Sequence, residues 1–490
     1  MKDLGWYLNK FCTILTGKSQ SCSVFLGNID AQYNILIQSF NLKNLIIFIL
    51  LFAVFFFLFK RFKELNNYIK IFSVFNFSLF LTIIIIFPSN MPFTDTWQEI
   101  YYLMDASKKD YFFKPNAGHF FFGFRFFHLL TSEYFFLNYS FFYLFNFIIY
   151  LLSSLLLILY INKFNDIYLL FLSLLIIFSG KWMNVILEPV NIGWTINFLL
   201  TIGFVLLLNN TNNSLKYLGI LFILILGLFN FGSGIVLIAY SVIYGFVLSN
   251  NKTKSLFYII VPICLYVIMF KYVKNYYSLD VQDINLNFYL EQNFLNIIKA
   301  YLVLTSGIFF PTLIIHYSFL AVFGFLQNIL ILYFIISSKN SLLQNISKFI
   351  IENPLLVIGI IGCFLIATIR PLYFDQTRYS SYSIFFQIGF FIFILKKNLN
   401  IFILNTKKLF FYFVFFSYIV SIIGPYTGIH FAISRMATTQ KINDCVRLKE
   451  NDCNILIYKE TMYGGTWFDK EKFNKVIYFL KDKNFTFMRH

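Results

Sequence analysis

Apolar residues along this chain come in long unbroken runs separated by short polar stretches. The runs lie near 44–59, 70–88, 136–160, 167–180, 191–208, 217–231, 234–248, 256–272, 309–337, 354–369, 380–395 and 409–424. Most are about 15 to 25 residues long, the length at which a helix crosses a hydrocarbon core. In lipid a backbone must satisfy its own hydrogen bonds, so such runs are helices. Strands of a membrane barrel alternate polar and apolar residues, and these runs do not. The pattern predicts an all-α polytopic membrane protein with about 11–12 transmembrane helices. Several runs sit near the lower limit of length, and 44–59 fits either a crossing or a segment lying in the interface.

The loops between the runs set a direction. Lys60, Arg61, Lys63 and Lys70 mark one loop as cytoplasmic; Lys252 and Lys254 mark a second, Lys339 and Lys348 a third, and Lys396, Lys397, Lys407 and Lys408 a fourth. All four agree with one threading. It places 89–135, 181–190, 273–308, 370–379 and 425–490 outside. The chain then divides into an N-terminal amphipathic segment 1–43, a multi-span membrane domain 44–424 with a first large outer loop of interfacial helices at 89–135, and a small C-terminal extracytoplasmic tail 425–490. The first 43 residues have neither a continuous apolar core nor a small-residue cleavage site, so insertion is expected to be driven by the first true span.

Composition sharpens this in one respect. The 490 residues are 59% hydrophobic and 12% charged, far too apolar for a soluble domain, and the formal net charge is +17. A basic chain suggests nucleic acid, but here the lysines and arginines sit in short loops between spans, as the positive-inside rule requires, so no nucleic acid is expected. The abundance of Phe (69) and Tyr (33) runs through the whole chain and carries no functional weight. Walker loops, GxGxxG and internal repeats are absent.

Of the cysteines, Cys264 and Cys363 fall inside apolar runs and read as small apolar residues. Cys445 and Cys453 bracket a polar stretch, a plausible disulfide in an oxidising compartment. Nothing in the spacing of Cys and His suggests zinc.

Four outer segments carry chemistry-bearing residues. The first, from Pro92 to Asp105, holds Asp95 and Glu99 four apart, hence on one face of a helix, next to Trp97. Two acids on one face suit a base with an orienter or metal ligand; an N-terminal cap is the structural alternative. Tryptophan there suggests a segment lying along the membrane surface. The second runs from Lys114 to His128. It contains Asn116, Gly118 and His119 at an ordered turn, then Arg125 and His128 in an aromatic run. Charges at that depth face a cavity or partner, or snorkel to headgroups. The third, Lys181 to Trp194, is a short outer turn in which Glu188 needs a partner and the tryptophans read as interface anchors. The fourth, Arg370 to Tyr379, places Arg370 and Arg378 outside, where phosphate contact competes with headgroup anchoring.

The order of these parts resembles the GT-C class of integral-membrane glycosyltransferases, in particular bacterial members that use polyprenyl-phosphate sugars. The features are an early outer acid near a span (Asp95), Asn116 and His119 followed by an aromatic helix with Arg125, an outer turn with Arg370, Arg378 and Tyr379, and a tail with Cys445 and Cys453. Where relatives often read Asn-Glu-His-Arg, this chain reads Asn-Ala-Gly-His. The resemblance covers 89–490 in layout. It implies a bacterial inner-membrane enzyme that moves a sugar from a polyprenyl-phosphate donor to a cell-surface glycan or lipid-linked acceptor. Asp95 would be the base, and Glu99, His119, Arg125, Glu188, Arg370, Arg378 and Tyr379 would bind donor or acceptor. It leaves a divalent metal open. Two rival readings are a glycan polymerase or ligase, which would place its main outer loop late, and a transporter or flippase, which would show paired repeats and mid-span breaks.

Overall fold

The computed structural model describes residues 39, 41–63, 65–87, 91–93, 95–113, 120–209, 213–230, 234–248, 252–277, 294–306, 317–338, 341–369, 380–396, 404–423, 428–447, 453–461 and 469–482. Among these there is no strand. The elements are helices α1 (Leu42–Lys60), α2 (Asn67–Ile86), α3 (Asp95–Asp105), α4 (Lys108–Phe113), α5 (Phe122–Tyr134), α6 (Tyr139–Asn162), α7 (Ile167–Ile177) and α8 (Lys181–Ile186). A 3₁₀ turn (Pro189–Asn191) follows, then α9 (Ile192–Leu208), α10 (Asn213–Asn230), α11 (Gly234–Val247), α12 (Lys252–Tyr277), α13 (Phe294–Ser306), α14 (Tyr317–Ile336), α15 (Leu342–Glu352), α16 (Pro354–Ile369), α17 (Ser380–Lys396), α18 (Leu404–Ile423), α19 (Gly428–Arg447), α20 (Cys453–Thr461) and α21 (Lys470–Asp482).

Local chemistry starts the long helices. Asn41, Asn66, Asn138 and Asp166 each turn a side-chain oxygen onto a free N–H of the first turn of α1, α2, α6 and α7, at 2.8–3.0 Å. Such caps satisfy donors that the helix itself cannot, which matters most where water is scarce.

Five helical stretches are long and apolar enough to cross a membrane: Leu42–Lys60, Asn67–Ile86, Tyr139–Asn162, Pro189–Leu208 and Lys252–Val273. A sixth forms if α15 and α16 are one span bent by 97°. Shorter apolar stretches of 10–17 described residues lie within α7, α10, α11, α13, α14 and α17. At about 1.5 Å per residue a helix of 14 residues reaches roughly 21 Å, less than a hydrocarbon core. The eleven or twelve crossings expected from the apolar runs are thus not all reached by helix length among the described residues. The chain is an all-α protein with the helices of a multi-pass membrane protein.

The outward faces agree with a lipid setting. Leu45, Ile49, Val54 and Phe57 of α1 and Ile260, Val267 and Ile268 of α12 are exposed, large apolar side chains that suit lipid better than water. The 44–59 run is a 19-residue apolar helix packed on α2. Inside, small residues bring helices close. A Cβ on Gly234 would fall on the backbone of Gly227, and one on Gly359 or Gly389 would collide with the partner helix of the α16–α17 pair.

The tryptophans correct the sequence reading. Trp97 (0% exposed), Trp182 (1%) and Trp194 (4%) are buried in protein instead of anchoring at an interface. Trp182 lies between Tyr150 and Phe198, with ring centroids at 5.0 and 4.8 Å, and Trp194 meets Tyr382 edge-on. Enough aromatic neighbours surround them that protein offers a better-packed environment than headgroups do.

Candidate functional site

The helix that opens with Asp95 is gripped from two sides. Its Thr96, Trp97, Glu99 and Ile100 are all buried. Trp97 and Glu99 are two residues apart, which at 3.6 residues per turn sets them about 200° apart around the axis. Glu99 faces α5: its carboxylate receives Nε of Arg125 at 2.8 Å and Nη2 at 3.1 Å. This two-pronged match suits the planar guanidinium, and both side chains are shielded from solvent (1% and 0% exposed). Arg125 therefore does not snorkel to headgroups. Its guanidinium also lies 5.0 Å from the centre of the Tyr111 ring on α4.

A buried hydrogen-bonded row continues from there. The Tyr111 hydroxyl meets His128 Nδ1 at 2.6 Å, and His128 Nε2 meets the Tyr139 hydroxyl at 3.2 Å. Burial, with the Arg125 charge adding to it, holds the His128 imidazole down at about 3, so it is neutral at physiological pH. Burial likewise drives the Tyr111 phenol well above its ordinary range. With both groups neutral, the row ties α4 and α5 to the start of α6 without adding charge.

The other side of α3 is held by the tail. The Trp97 indole N–H donates to Thr461 Oγ1 at 2.9 Å, while the Thr461 hydroxyl donates to the Ile457 carbonyl at 2.7 Å. The threonine proton is thus used within α20, and its oxygen faces the indole as an acceptor. Phe473 of α21 packs on Trp97 at 4.7 Å between centroids, with Tyr458 of α20 behind it at 5.0 Å. Cys445 of α19 and Cys453 of α20 are joined by a disulfide, with Cα atoms 5.7 Å apart.

A second ion pair lies where the 3₁₀ turn meets α19. Arg435 Nη2 is 3.7 Å from Glu188 Oε1. Its guanidinium sits 3.7 Å from the centre of Phe93, two residues before α3, and 4.9 Å from that of Phe431. Asn191 Nδ2 donates to Glu188 Oε2 at 3.3 Å. The Glu188 side chain is 23% exposed, so this carboxylate is both held and open, whereas that of Glu99 is closed off. Helix α8, which leads into the 3₁₀ turn, is fixed in turn by the spans. Asn146 in the middle of α6 donates to the carbonyls of Val185 and Ile186 at 2.8 and 3.2 Å and accepts from Thr195. Gly180 just before α8 donates to Ser421 Oγ at 2.9 Å, and its carbonyl accepts from Gly428 N–H at 3.0 Å.

Of the residues singled out from sequence, Glu99 and Arg125 come together as partners of each other, and Glu188 acquires Arg435. Asp95 begins α3; its side chain, together with His119, Arg370, Arg378 and Tyr379, lies outside the described residues. Arg435 was missed by the sequence reading, though a signal exists: it stands among Phe431, Ala432, Ile433 and Met436 with no other charged residue within one helical turn. Among the described residues no group of three or more His, Cys, Asp or Glu side chains is placed to hold a metal ion. Chemically, the arrangement offers a fixed acid-bearing helix, one accessible carboxylate and a cation stacked between aromatic rings. No family model, curated protein or solved structure matches this chain.

Proposed function

We propose that this protein is a membrane glycosyltransferase that moves a sugar from a polyprenyl-phosphate donor to a cell-surface glycan or lipid-linked acceptor, on the extracytoplasmic face of a bacterial inner membrane. The observation that supports it most is the grip on α3. A base must stay within hydrogen-bond reach of the proton it takes, and a helix held on opposite sides by Arg125 and by Thr461 steadies the backbone that carries Asp95. In this reading Asp95 accepts the proton of an acceptor hydroxyl. The hydroxyl oxygen forms a bond to the anomeric carbon as the bond from that carbon to the phosphate oxygen breaks, leaving polyprenyl phosphate. Arg370 and Arg378 receive the leaving phosphate, with Tyr379 and His119 beside donor or acceptor. Glu188, held yet partly open, accepts hydrogen bonds from sugar hydroxyls. Glu99 and Arg125 act on α3 instead of touching substrate, since each is used by the other. A membrane setting follows from the donor, whose lipid tail stays in the bilayer.

The test is Asp95→Asn, which keeps size and hydrogen-bonding shape but cannot take a proton. A positioned carboxylate contributes about 10²–10⁴-fold to such a step, so complementation of the surface-glycan defect of a deletion strain should disappear at unchanged protein level. Full complementation at wild-type expression removes Asp95 as the base and leaves the transporter reading ahead.

A further inference from the structure

The tail after the last apolar run is built into the candidate site. Helix α3 touches α21 through Trp97 and Phe473, and α20 through the Trp97–Thr461 hydrogen bond. Lys472 of α21 also lies 5.7 Å from the ring centre of Tyr101, on α3. Thr461 is the last residue of α20, and Cys453, at the other end of that nine-residue helix, is bonded to Cys445 near the end of α19. Helix α19 is itself anchored by Arg435 to Phe93 and Glu188. A short chain of contacts therefore runs from the membrane domain through α19, across the disulfide, along α20 and back onto α3.

We propose that Thr461 is a positioning residue for α3, and that the Cys445–Cys453 bond fixes where it sits. This rests on the glycosyltransferase reading for what α3 does, but not for how α3 is held. The physical reason is rotational. Glu99 and Arg125 grip one side of α3, and a single gripped side resists rolling about the helix axis less than two opposed ones do. The acceptor oxygen of Thr461, about 200° away around the helix, supplies the opposed contact. Without it the buried indole N–H loses this hydrogen bond, and α3 loses a directional contact on that side. Without the disulfide, the covalent path from α19 to α20 runs through the sequence 448–452.

The experiment is hydrogen–deuterium exchange by mass spectrometry on the full chain in lipid nanodiscs, paired with complementation of the surface-glycan defect. The variants are Thr461→Val, which keeps shape and removes the acceptor, Thr461→Ser, which restores it, Trp97→Phe, which removes the donor, and Cys445→Ser with Cys453→Ser. Amides of 95–105 should exchange about five- to tenfold faster in the valine, phenylalanine and double-serine variants, and at the wild-type rate in Thr461→Ser. Exchange in α9 should not change. Complementation should fall at least about fivefold in Thr461→Val and recover in Thr461→Ser. Unchanged exchange across α3 in Thr461→Val and Trp97→Phe overturns the proposal, as does faster exchange with full complementation. If α3 responds as expected while the wild-type protein transfers no sugar, the glycosyltransferase reading fails and the tie between tail and helix stands.

Discussion

Two buried arginines show how this chain keeps a cation away from water. Arg125 is matched by a two-pronged carboxylate, and Arg435 by aromatic faces and a carboxylate just beyond hydrogen-bond distance. Removing one partner of a buried pair strands the other, at about 3–5 kcal/mol, whereas replacing both by apolar or neutral groups of similar shape costs much less. Arg125→Met alone should therefore lower the thermal unfolding midpoint in detergent sharply, and Glu99→Gln combined with Arg125→Met should recover most of the loss. Equal midpoints for the single and double variants would show that the pair is not coupled. His128 makes a pH prediction. Its pKa in the folded protein is about 3, below the roughly 6.5 of an exposed histidine. As pH falls from about 6.5 toward 3 the unfolded chain binds a proton that the folded chain does not, so stability declines by about 1.4 kcal/mol per pH unit. Stability above pH 6.5 should be indifferent to this group. His128→Gln should flatten the slope in part. Some should remain, because burial also holds His430 at about 4.

At the scale of elements, the segment from α7 to α9 carries the most tertiary information. An eleven-residue apolar helix, a six-residue helix and a 3₁₀ turn would be marginal alone, since short helices do not offset their nucleation cost. They are held by side chains from distant parts of the chain: Asn146, Tyr150 through the Ile177 carbonyl at 2.7 Å, and Ser421. Gly180 is the tightest of these junctions. A Cβ there would fall on the Ser421 carbonyl oxygen, which is backbone and cannot swing aside. Gly180→Ala should thus destabilise the protein by about 1–3 kcal/mol, read as a lower unfolding midpoint or a smaller folded yield. Gly219→Ala meets only the flexible end of Leu207 and should cost less. Equal effects from both would show that the α8–α18 junction yields easily.

For the whole molecule, the proposal depends on which side the tail faces. Lys407 and Lys408 lie at the start of α18, and Lys396 and Lys397 end α17 and begin the connection to it, so the charge rule leads one to expect that loop inside and everything after α18 outside. An alkaline phosphatase fusion at the C terminus should be active, and a cytoplasmic reporter at the same point silent. The reverse result would put α3 and the α19–α21 unit in the cytoplasm together, because they are packed on each other, and would remove the site from the extracytoplasmic face.

The apolar runs alone determined that this chain is helical and built for lipid, because in a bilayer backbone hydrogen bonding leaves no other use for them. They also marked out residues 89–135 as polar and chemically rich, and within that stretch Glu99 and Arg125 as charges that needed an explanation. The explanation itself was beyond the sequence. Glu99 and Arg125 are 26 positions apart, Glu188 and Arg435 much further, and Trp97 reaches 364 positions to Thr461. Composition can say that a buried charge or indole N–H requires a partner; only the packing of helices decides which residue supplies it. The same holds for the tryptophans, whose amphipathic rings suit both an interface and a core. It holds as well for the short helices α7 and α8, whose length in the folded protein is set by the side chains of other helices that cap and hold them.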